Sequence, residues 1–171
     1  LSSALEFGDS AVVEGPSYDS GSVAAGTGIR AFLVTLSEAK GAELRVGEAG
    51  ATLTAAGAPL APAGWYAMSG SGSRLVVAQA GADGGGIDWK ALSPSGESTG
   101  AGKAGTSQYL GGGVVWLGEE PVIAAGTPNV VELHRLVLGT SSVKDSVLLT
   151  EGITDFDGKR FAVAADADKV G

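Results

Sequence analysis

Four stretches of the chain repeat one pattern: a glycine, a variable residue, a charged residue and then an apolar run. They are GIRAFLV from Gly28, GSRLVVA from Gly72, GEEPVIA from Gly118 and GKRFAVA from Gly158, with Arg30, Arg74, Glu120 and Arg160 at the charged position. Successive anchors lie 44, 46 and 40 residues apart. A fixed period of this size marks a stack of like units, each too small to bury its own apolar face.

The apolar runs read as strands buried on both faces. Pro121 opens one of them, a position a strand tolerates. A second strand follows the first three runs: AELRVG, GIDWKAL and VVELHRLVL. These alternate, with Ile87, Trp89 and Ala91 set against Asp88 and Lys90, so one face is buried and the other wetter. A third strand comes next in ATLTAAG, ESTGAG and DSVLLTEG, and a short strand precedes each anchor in SVAAG, WYAMSG, VVWLG and ITDFDG. Loops such as GADGGG, SPSGE and GTPN join them. The stretch Ser37 to Lys40 reads as a hairpin loop, because Gly41 interrupts any helical turn there.

Four short strands in roughly 40–45 residues is the pattern of a β-propeller blade. The fold expected is therefore all-β, a four-bladed propeller. Its shortest, Gly- and Ala-rich strands should lie at the crowded inner edge. Composition agrees: 29 glycines and only 6% aromatic residues suit many turns and a core of small and β-branched side chains.

The fourth unit shows only its first two strands, ITDFDG and RFAVAADAD. The segment GDSAVVEG (Gly8 to Gly15) matches KDSVLLTEG (Lys144 to Gly152), with SALEF before it. Blade units are thus expected at 22–64, 65–108, 109–152 and, as a composite closing blade, 153–171 plus 1–15. Closure of this kind leaves no raw strand edge. In an alternative, half-blades exchange between chains in a larger ring, so that a second chain or another protein is the partner. In a third reading, the 171 residues are a piece of a longer propeller.

With the units laid out, the segment GSGSRLVVAQAGADGGGIDWKALSPSGE (Gly70 to Glu97), and more loosely FDGKRFAVAADAD, resembles the repeats of bacterial exported β-propeller proteins. The Trp usual after the apolar run is absent; Gln79, Ala125 and Ala165 stand near that place. The resemblance implies a secreted or cell-envelope protein with a binding or scaffolding role and no chemistry of its own.

Charge narrows the partners. A net charge of −8 argues against nucleic acid, which needs a basic face, and against an anionic membrane surface. Cysteine is absent, which removes disulfides, thiol nucleophiles and Cys-based metal sites. No apolar run approaches the ~20 residues of a membrane span. The chain opens on Leu1 without a signal-like segment, and we read it as processed or trimmed at that end.

Candidate chemistry is sparse. His134 is the one histidine, with Glu132 on the same strand face, but no G-x-S-x-G elbow accompanies it. It reads as a surface residue or one with its hydrogen bonds satisfied, and no catalytic set is assigned. Asp155, Asp157, Asp166 and Asp168 are spaced by two in pairs and could share a hard cation, which makes calcium the one cofactor to consider. Their stretch distantly resembles the loops of calcium-binding propeller repeats; the plainer reading is an acidic turn. GADGGGID reads as a flexible hairpin, and LGGGVVWLG lacks the helix and lysine of a phosphate loop.

Among the aromatics, Trp65, Tyr66, Trp89 and Trp116 suit packing between blades. A sharper reading makes Tyr18, Tyr109, Trp65 and Trp116 a rim that stacks on a ligand, since Tyr18 and Tyr109 precede two inner strands. The function expected is a non-enzymatic, exported binding or scaffold module. The alternative is a lectin-like propeller for carbohydrate or peptide; behind these stand a calcium-dependent module and a hydrolase.

Overall fold

The period-two segments become strands that pair in order along the chain. The computed structural model describes residues 20–37, 41–58, 60–61, 65–80, 85–166 and 169–170. The first sheet holds β1 (Ser20–Ala25), β2 (Arg30–Ser37), β3 (Gly41–Gly47) and β4 (Thr54–Ala55). The second holds β5 (Trp65–Ser71), β6 (Arg74–Ala80), β7 (Ile87–Leu92) and β8 (Ser98–Ala104). The third holds β9 (Tyr109–Leu117), β10 (Glu120–Thr127), β11 (Val130–Leu136) and β12 (Val143–Leu149). Each sheet is an antiparallel meander with its strands in sequence order, and no helix occurs among the described residues.

The continuous apolar runs are explained by β6. Leu75 and Val77 face the first sheet and pack with Ala31, Leu33, Leu44 and Val46. Val76 and Ala78 face the third and pack with Leu110, Ile123, Ala125 and Leu136. A strand between two sheets has no wet face, so alternation disappears from its sequence. Its neighbour β7 keeps the alternation: Ile87, Trp89 and Ala91 are buried while Asp88 and Lys90 are half-buried.

One packing step relates the first sheet to the second and the second to the third. The turn between β7 and β8 sets Gly96 against Ala56, beyond β4. The turn between β11 and β12 sets Thr140 and Ser141 against Gly100 and Gly102 of β8. The first strands of the three sheets lie side by side, β1 by β5 and β5 by β9. Gly70 shows why they can: a Cβ there would sit 2.8 Å from the carbonyl carbon of Ala25. These first strands are not the shortest, as the sequence suggested. They have six, seven and nine residues, whereas β4 has two. Small residues bring the first strands together; short length is not needed.

Two further expectations are corrected. Aligning the units on their glycine anchors misplaces the first by one residue. Ala31 and Leu33 face the second sheet, yet Leu75 and Val77, at the same distance from their anchor, face backwards. The turn from Gly26 to Ile29 has four residues against two in the matching turns, and this shifts the strand's phase. Second, ITDFDG and RFAVA form no strands: Ile153 to Ala164 makes no ladder, and only β13 (Ala165–Asp166) pairs, with β14 (Lys169–Val170). The segment lies over β9 and β10 instead. Phe161 and Val163 fill the space left by Gly112, and Gly158 seats on Gly126 and Thr127. Among the described residues its backbone meets β9 at the Phe161 N–H, which donates to the Gly111 carbonyl at 3.5 Å. The proposed contribution of residues 1–15 lies outside the described residues; of the loop expected at Ser37 to Lys40, Ser37 is the last residue of β2 and the rest lies outside them.

Trp89 is 3% exposed at the centre of the second interface. Trp89→Ala should cost ~3–5 kcal/mol, read as a lower midpoint in urea unfolding.

Candidate functional site

Because β5 lies beside β9, the first residues of the two strands meet. Trp65 opens β5 and Tyr109 opens β9, and their rings make an edge-to-face pair with centroids 5.8 Å apart and planes at 80°. Such a pair keeps one aromatic face available while fixing the orientation of both rings. The segment after Gly152 supplies the rest of the wall. Lys159 Nζ stands 5.8 Å from the Tyr109 ring centroid, in cation–π range. Asp157 and Arg160 complete the lining of a cleft of about 670 Å³. The backbone N–H of Lys159 donates to Asp157 Oδ1 at 2.9 Å, which holds this turn in shape. Asn129 anchors the same segment, accepting from the Phe156 N–H on its side chain and donating its own N–H to the Phe156 carbonyl.

The cleft thus joins two half-buried aromatic rings to two exposed cations and a carboxylate. That set can stack on an apolar ring face and hydrogen-bond the polar groups around its edge. Of the residues singled out from the sequence, Trp65, Tyr109 and Asp157 come together here. Trp116 lies near the other end of β9, with Arg74 stacked 5.3 Å from its ring centroid. Tyr18 and Asp168 lie outside the described residues, and the side chain of Asp166 does too. Asp155 is exposed, with a left-handed backbone at φ 59°. Among the described residues no three His, Asp or Glu side chains gather as a metal site would need. Lys159 and Arg160 were missed as site residues, although Arg160 occupies the charged position of the repeat.

A second polar constellation sits on the third sheet. The strands β3, β7 and β11 carry Glu43-x-Arg45, Asp88-x-Lys90 and Glu132-x-His134, an acid and a base on the same strand face. In the first sheet the two pair directly, Arg45 Nε to Glu43 Oε1 at 2.6 Å. In the second, Asp88 pairs across to Lys103 at 2.9 Å. In the third the pair is buried, with His134 Nε2 2.9 Å from Glu132 Oε2. Gly105, at φ +58°, makes room for it: a Cβ there would collide with the imidazole and lie 2.5 Å from the carboxylate. His134 Nδ1 meets Ser146 Oγ at 2.8 Å, across the β11–β12 register.

A surface ladder crosses the third sheet near the β9–β10 turn. Arg135 makes a forked contact with Asp145 and reaches Glu120 at 3.2 Å, and Lys144 lies 2.5 Å from Glu120. The Lys144 hydrogen bond holds the Glu120 carboxyl below its ordinary range, and that of Arg135 does the same for Asp145. The Asp145 contact raises Arg135 further.

No family model, no curated protein and no solved structure matches this chain.

Two outcomes are expected. Glu120 and Asp145 have lower pKa values folded than unfolded, so their contribution is present above the usual carboxylate range, about pH 4, and is lost as pH falls through the folded values. Unfolding midpoints should therefore decline below about pH 4, and Arg135→Met should flatten that decline. Gly105→Ala, strained in φ and in collision with the buried pair, should destabilise by ~1–3 kcal/mol in urea unfolding, whereas Gly50→Ala, strained in φ alone, should cost less.

Proposed function

We propose that this protein is an exported binding and scaffold module built as a β-propeller, which recognises its ligand without transforming it at that site. The cleft between Trp65 and Tyr109, walled by Asp157, Lys159 and Arg160, is the observation that carries this reading. It lies where the first strands of two sheets and the segment after Gly152 converge, the place a propeller uses as its axial mouth. The ligand is a carbohydrate or an extended peptide, stacked on aromatic surface and held at its polar edge by the charged trio. Secretion or placement in the cell envelope belongs to the same proposal.

The propeller reading is supported by the repeated packing step and by the adjacent first strands. Gly158, seated on Gly126 and Thr127, lays a further segment against the third sheet. Residues 153–171 make little ladder of their own, which suits a closing blade finished by residues 1–15. The same geometry would serve if a second chain finished that blade. Light scattering across a dilution series separates the two: a mass near 17 kDa at every concentration fits closure within the chain, and a stable dimer fits exchange between chains. Tryptophan fluorescence titrated with neutral and acidic oligosaccharides and with peptides tests the cleft. Binding should quench emission in the parent protein and weaken at least about tenfold in Trp65→Ala and Tyr109→Ala, the loss of an anchor residue being worth that much. Affinity unchanged in both variants, or no ligand in any class, would remove the cleft from the account.

A further inference from the structure

Beyond its binding role, the geometry points to Ser146 as a base-assisted nucleophile that His134 activates and Glu132 positions, reactive toward esters with an apolar acyl chain. The distances are those of a working relay. Glu132 Oε2 accepts from His134 Nε2–H at 2.9 Å, which fixes the tautomer and leaves Nδ1 as an acceptor. Nδ1 stands 2.8 Å from Ser146 Oγ and can take its proton. The ring nitrogens are exchanged relative to the familiar serine-hydrolase arrangement, but the logic of acid, oriented base and nucleophile is the same.

Three further observations single this place out. The acid–x–base pair recurs in each of the three four-stranded sheets, but only in the third is the base an imidazole, which can accept a proton as well as donate one. Across the register from the base, the second sheet has Ala101 opposite Lys90, whereas the third has Ser146 opposite His134. The base and its carboxylate are buried, while Ser146 stands exposed on β12, the outermost strand of its sheet. A buried base beside an exposed nucleophile is more than a structural pair needs.

The strand around Ser146 names the substrate class. The exposed large apolar side chains among the described residues are Val147, Leu148 and Leu149, at 50%, 63% and 44% exposure. Leu148 shares the face of Ser146, two residues on, and offers an acyl chain an apolar bed beside the hydroxyl. In the reaction Ser146 Oγ attacks the ester carbonyl as its proton passes to His134 Nδ1. The bond from the acyl carbon to the alcohol oxygen breaks, and the alcohol leaves with that proton. Water, deprotonated by the same nitrogen, then cleaves the acyl-serine to a carboxylic acid, so ester and water give acid and alcohol.

The test uses the full chain with an alkyl fluorophosphonate and with a p-nitrophenyl ester of a short fatty acid. Peptide mass mapping should place the phosphonyl adduct on Ser146, formed at least about a hundredfold faster than on exposed Ser142, the low end of what general-base assistance supplies. Ser146→Ala, a change at an exposed position, should abolish both the adduct and ester hydrolysis. Glu132→Gln should slow labelling and shift its pH profile, an effect that loss of packing alone would not produce. Equal labelling of Ser146 and Ser142, or hydrolysis that survives Ser146→Ala, would overturn the proposal. Either failure would leave the Trp65–Tyr109 cleft unaffected.

Discussion

Backbone meets backbone between neighbouring sheets, and the rest of the molecule is arranged around that contact. At Gly70 the first strands of two sheets touch without side chains between them, and at Gly102 an outer strand receives the turn of the next sheet in the same manner. Contact at both the first strand and the last strand fixes the separation and tilt of each sheet on the next. The side chains between must then fill a gap of fixed width. Leu75 and Val77 fill it on one side of β6 and Val76 and Ala78 on the other, which is why small and branched residues dominate the core.

The same constraint decides what could be read from sequence. The strands β6 and β7 were legible because burial on two faces or one leaves a local signature. The phase of β2 was not, since it depends on the length of the turn after Gly26, and a glycine anchor looks the same before a turn of either length. GKRFAVA carries the residues of a strand, but Phe161 and Val163 cover the glycines of β9 instead, a tertiary packing that propensity does not show. The cleft was half legible. Trp65 and Tyr109 could be named as candidate stacking aromatics, but their meeting depends on β5 lying beside β9. Ser146 could not be tied to His134, because the β11–β12 register, bulged at Arg135 and Leu136, is a tertiary fact.

The acid–x–base pairs show one motif serving different ends. Half-buried at Glu43 and Arg45, it is an ion pair that keeps its contact with water. At Glu132 and His134 burial removes competing water, so each group depends on the other and on Gly105 for its place.

The recurrence of one packing step has a consequence for how such a molecule could grow. The second sheet presents to the third the same kind of surface that it receives from the first. A further unit of about this length could therefore be spliced between two existing ones without redesign of either interface. Demand for novelty would fall on the outermost faces alone. An architecture of this kind stores its specification in a junction, and the number of junctions is a free parameter.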